Sequence, residues 1–101
     1  MIKKKRNHRD FNEYLKLKLK NQELAIAYLN EALANGDEKV FLLALKDVIE
    51  ARGDISAFAQ EAHVSRQSIY RMFSETGNPT LANLSAVLNA MGVQIQLSLK
   101  N

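Results

Sequence analysis

The chain has no cysteine, no tryptophan and a single proline, with four glycines and two histidines in 101 residues. Without cysteine there is no disulfide framework, no thiolate nucleophile and no zinc–cysteine site. His8 and His63 lie in unlike settings, and no HExxH, nucleophile elbow, phosphate loop or metal-ligand cluster is present. We therefore expect no enzyme, no cofactor and no metal. No apolar run is long enough to cross a bilayer and no signal-peptide pattern appears, so a cytoplasmic protein with no membrane partner is expected. Gly36, Gly53, Gly77 and Gly92 all read as stops between segments.

Charge is placed unevenly. The net charge is +3, but residues 1–20 carry eight basic and two acidic residues, a local +6, and the rest of the chain is −3. The high isoelectric point thus overstates the basicity of the folded body. Residues 1–9 lack apolar periodicity and read as a basic flexible arm, suited to phosphates, to an acidic partner, or simply to solubility. Residues 10–101 read as one small helical domain.

Residues 54–73 organise that domain. Asp54 is a good N-cap, and Ile55, Phe58, Ala59 and Ala62 follow at helical spacing. The period breaks at His63-Val64-Ser65. Ser65 caps a second helix, with Ile69, Met72 and Phe73 repeating on one face. Helices joined by so short a turn cross steeply and need a small residue at their closest approach, and Ala59 stands there. This is the helix-turn-helix geometry that lays its second helix in a DNA major groove. A helical hairpin that binds no nucleic acid has the same spacing. The outward face of the second helix favours DNA: Ser65, Arg66, Gln67, Ser68, Tyr70 and Arg71 are polar or amphipathic, and no acid occurs between Arg66 and Ser74. Arg66, Gln67 and Arg71 suit base edges, and Ser65, Ser68 and Tyr70 suit phosphates.

The flanking segments are helical by pattern. In residues 10–20, Leu15, Leu17 and Leu19 alternate with lysines, which is strand period, while Phe11, Leu15 and Leu19 recur every four, which is helix period. The absence of β-branched residues decides for helix. Asn21 caps a helix whose stripe is Leu24, Ala25, Tyr28, Leu29 and Leu33, stopped by Asn35-Gly36. Asp37 caps the next, with a broad apolar face through Val40, Phe41, Leu43, Ala44, Leu45, Val48 and Ile49. Thr80 caps the last, with Leu81, Leu84, Val87, Leu88 and Met91 inward. Residues 93–99 then alternate strictly, Val93, Ile95, Leu97 and Leu99 against polar residues, and read as a half-buried strand. A lone strand cannot satisfy its backbone, so we expect it to pair with its own copy, making those four residues a homodimer interface.

These residues also carry a resemblance. Residues 54–97 resemble the Cro/CI-type helix-turn-helix, whose pattern is matched here by Phe58-Ala59, Val64-Ser65, Ile69 and Asn78-Pro79-Thr80-Leu81. The stretches YLNEAL at 28–33, GDEKVFLLALKDV at 36–48, SRQSIYRMFSETGNPTL at 65–81 and VLNAMG at 87–92 resemble a narrower group, the probable addiction-module antidote proteins, HigA-like antitoxins often found on prophages. The likeness spans about residues 10–98. It implies a dimeric repressor of its own operon, acting on double-stranded operator DNA and neutralising a RelE/ParE-like toxin. Two positions depart from the pattern. His63 replaces the turn glycine, at a place that needs left-handed backbone. Ile55 replaces the glutamine that grips a phosphate, and Ser56 stands next to it as a substitute. Together these readings give an all-α, lambda-repressor-like domain of five helices with a short C-terminal strand. A toxin-masking module without DNA binding and a stand-alone prophage repressor remain as alternatives.

Overall fold

The computed structural model describes residues 8–100. Among them are six helices and no strand: α1 (His8–Leu19), α2 (Gln22–Ala34), α3 (Glu38–Arg52), α4 (Ile55–Ala62), α5 (Arg66–Met72) and α6 (Leu81–Ala90). Five of the six begin at the caps the sequence offers. Asn21, Asp37, Asp54, Ser65 and Thr80 all have extended backbone, and each side chain accepts from a backbone N–H of the first turn. Each such bond satisfies a donor the helix cannot satisfy itself, worth about 1 kcal/mol. The helix count is six, one for each segment whose pattern reads as helical, and not five. The arm expected over residues 1–9 falls outside the described residues up to position 7, and His8 and Arg9 belong to α1.

The chain divides into two compact units at Gly53–Asp54. In the first, α1, α2 and α3 all contact one another. Leu19, Ala25, Leu29, Leu45, Val48 and Ile49 are buried in its core. The leucines of α1 settle the choice between helix and strand. Leu19 is buried, Leu15 half-buried and Leu17 exposed, whereas a strand would have put all three on one face. Tyr28 on α2 donates its hydroxyl to Asp47 on α3 at 2.8 Å, and burial together with that carboxylate pushes its pKa up to about 12. The Arg52 guanidinium hydrogen-bonds Gln22, closing the other end of the same helix pair.

The apolar stripes are used differently from the pattern expected. On α2 the buried residues are Ala25, Leu29 and Ala32, while Leu24 and Leu33 are exposed. On α3, Val40 and Leu43 are exposed although Leu42, Ala44 and Leu45 beside them are buried. Two overlapping helical faces were available in each sequence; packing selected the one lined by smaller side chains on α2 and the one carrying Leu42, Leu45 and Ile49 on α3.

In the second unit α4 contacts both α5 and α6. Ala59, Ala62, Ile69, Met72, Val87, Leu88 and Met91 form its core, while Leu81, expected inward, is 72% exposed in the first turn of α6. The expected strand over 93–99 is absent. The Gly92 N–H donates to the Asn89 carbonyl and the Val93 N–H to the Leu88 carbonyl, a Schellman closure with Gly92 left-handed. The Val93 amide is therefore occupied by the helix end. Beyond it, Ile95, Leu97 and Leu99 are exposed, with no strand beside them among the described residues to supply a ladder.

Candidate nucleic-acid interface

The α4–α5 corner is built by its backbone. His63 adopts φ 57°, ψ 37°, the left-handed conformation expected of it, and is the only non-glycine residue with positive φ among the described residues. Its N–H donates to the Gln60 carbonyl at 3.3 Å, and the Val64 N–H donates to the Ala59 carbonyl at 3.1 Å. This Schellman motif ends α4 and turns the chain sharply. Ser65 then opens α5. Its hydroxyl accepts the Ser68 N–H at 3.0 Å and donates to the Ser68 hydroxyl at 2.8 Å. Ser65 and Ser68, expected at phosphates, are thus engaged with each other and hold the first turn of α5 in place.

A left-handed backbone costs an L-residue about 1 kcal/mol, and glycine avoids it. His63 is exposed, so removing its side chain empties no core. His63→Gly should therefore stabilise the chain by about 0.5–1 kcal/mol, seen as a higher melting temperature. A lower one would mean that the imidazole holds the corner together.

α5 separates its residues cleanly. Ile69 and Met72 are buried. Arg66, Gln67, Tyr70 and Arg71 are exposed on the opposite side. The Arg66 guanidinium lies over the Tyr70 ring at 5.4 Å. Hydrogen bonding to Tyr70, with Asp54 nearby, raises the Arg66 pKa above its ordinary value. Arg66 thus stays charged while its orientation is restricted by an aromatic face. A shallow depression beside α5 is lined by Asp54, Ser56, Gln60, Val64 and Arg66. It brings half-buried Ser56 to the same surface as Arg66, and adds Gln60. The sequence reading passed over Gln60, although it stands one helical turn after Ser56 and so on the same face of α4.

The far end of α5 is closed as firmly. The Arg71 carbonyl accepts from the Ser74 N–H at 3.2 Å and the Ser74 hydroxyl at 2.8 Å. The Gly77 N–H donates to the Ser74 carbonyl at 2.9 Å, folding the loop back over the last turn. The four residues assigned to a dimer interface lie apart from this corner in the sequence: Val93 is half-buried, and Ile95, Leu97 and Leu99 are 50%, 89% and 96% exposed. Among the described residues no group of three or more His, Asp or Glu side chains could hold a metal ion, and no helix is long and apolar enough to cross a membrane.

The chain is similar to an uncharacterized protein of Haemophilus influenzae, 38% identical over 79 residues that cover 78% of this chain and 80% of the relative. No solved structure matches it significantly. A family profile described as "probable addiction module antidote protein" matches residues 7–99, nearly the whole chain. An all-helical chain matched along almost its entire length by that profile belongs to the family of probable addiction module antidote proteins.

Proposed function

We propose that this antidote protein is a HigA-like antitoxin that represses its own operon through a lambda-repressor-like helix-turn-helix and neutralises a RelE/ParE-like toxin. It acts by binding rather than by catalysis, in the cytoplasm. The observation that carries the DNA reading is the exposed, acid-free face of α5, fixed at one end by the Ser65 cap and at the other by the Ser74–Gly77 loop. Arg66, Gln67 and Arg71 read base edges, and Tyr70 and Ser56 contact phosphates. Ile55, standing where the resembling pattern has glutamine, favours a second reading, in which the chain masks a toxin and has lost DNA.

A seven-residue recognition helix covers only a few base pairs, so two copies are needed. They must be held about 34 Å apart to enter successive major grooves. The apolar residues left exposed at Ile95, Leu97 and Leu99 supply a surface for joining them. Gel shifts with the DNA upstream of the chain's own gene test both points. Wild-type binding should weaken as salt rises from about 50 to 200 mM, as binding to the polyanionic duplex requires. The Ile95→Lys, Leu97→Lys variant should sediment as a folded monomer and lose operator binding. No binding even at low salt, with a toxin still bound, gives the second reading. A variant that stays dimeric places the two-fold elsewhere.

A further inference from the structure

We infer that the groove between α2 and α3 is where the toxin docks, and that it receives a bulky apolar side chain flanked by lysine or arginine. The inference rests on the toxin-neutralising reading above and names the surface that serves it. The groove is lined by Tyr28, Glu31, Ala32, Val40, Leu43 and Ala44. Ala32 and Ala44 are buried, and their short side chains form the floor. Val40 and Leu43 stand as apolar walls, 38% and 60% exposed. Leucine left this exposed beside a depression gains nothing for the fold, and an inserted side chain would cover it. Tyr28 is tied to Asp47, so that wall is fixed before a partner arrives.

Charge selects the occupant. Residues 21–52 hold six acidic and three basic residues. Glu31 is on the rim, and Asp37 and Glu38 are exposed at the start of α3. A basic surface complements this face. A second copy presenting the same face would set acid against acid, because a two-fold contact is self-complementary. An antidote has one obligatory partner, its toxin, and a basic toxin segment satisfies both the cavity and the charge.

The full-length chain is to be paired with the product of the reading frame adjacent to its own gene, and the affinity measured. Leu43→Glu should weaken the complex roughly thirtyfold or more, as removal of a central anchor contact does. Glu31→Lys should weaken it roughly tenfold by placing like charges together. Leu17→Glu, at an exposed position on α1, should leave it unchanged. All three positions are exposed, so the variants should keep the helical circular dichroism of the wild type. Wild-type affinity in both Leu43→Glu and Glu31→Lys overturns the groove and leaves the antidote reading intact. So does loss of self-association in Leu43→Glu with the complex unaffected, since the groove would then serve a second copy. If the wild-type chain does not bind the neighbouring product, the toxin-neutralising reading falls and the groove with it.

Discussion

The Arg66→Ala, Gln67→Ala variant should bind the DNA upstream of its own gene about 2–6 kcal/mol more weakly than the wild type, because each bidentate base contact is worth roughly 1–3 kcal/mol. Both side chains are exposed, so the loss should come without a change in melting temperature. The single variants separate their roles. Gln67→Ala should relax preference at one base pair. Arg66→Ala should cost more, because this guanidinium is held over the Tyr70 ring and gives up little freedom on binding. Tyr70→Phe keeps the ring under Arg66 and loses only the hydroxyl, so its effect should be the smallest. The double variant binding as tightly as wild type would remove α5 from the interface.

Gly77→Ala should cost far more stability than the same change at Gly36. A Cβ there would meet the carbonyl oxygens of Met72 and Arg71, the latter at 2.5 Å. Both are backbone atoms in the last turn of α5, which cannot swing aside as a side-chain tip does. The loop must lift or the turn must unwind, at a cost of about 2 kcal/mol or more. For a domain this small that lowers the melting temperature by roughly 8 °C or more. Gly36→Ala is the natural comparison. Its Cβ meets nothing within 4 Å, and its φ of 76° costs only the left-handed strain, about 1 kcal/mol. Equal losses at the two glycines would show that the loop over α5 adjusts freely. Because the same loop holds the Arg71 carbonyl, operator binding should fall with stability at Gly77 and not at Gly36.

The helices and their starts were legible because capping is local chemistry. A side chain at Asn21, Asp37, Asp54, Ser65 or Thr80 needs only a backbone N–H two or three residues on, and sequence alone puts it there. The left-handed turn at His63 was legible only through the resemblance, because the matched pattern has glycine there. What could not be read was the choice between overlapping apolar faces. Leu24, Leu33 and Leu81 obey helical period as well as Ala25 and Leu29 do, and only the neighbouring helices decide which go inward. Residues 93–99 failed differently. Their alternation is genuine, but a strand is a relation between two segments, and no second segment stands beside it among the described residues. At the candidate interface Arg66, Gln67, Tyr70 and Arg71 were legible as exposed. Ser65 and Ser68 were not legible as a mutually bonded pair, because the sequence does not reveal which hydroxyls the backbone claims first.

The division of α5 into two sides has a consequence for how such chains diverge. Ile69 and Met72 hold the helix in the core, and Arg66, Gln67 and Arg71 take no part in that. Substitutions on the outer side leave folding almost untouched, typically within about 0.5 kcal/mol. Descendants of one ancestral gene can therefore exchange the side chains proposed to face DNA without passing through an unfolded intermediate. Sister copies in one genome could come to ignore each other's control regions while their interiors stay interchangeable. The residues that record such a separation would be those the core leaves free.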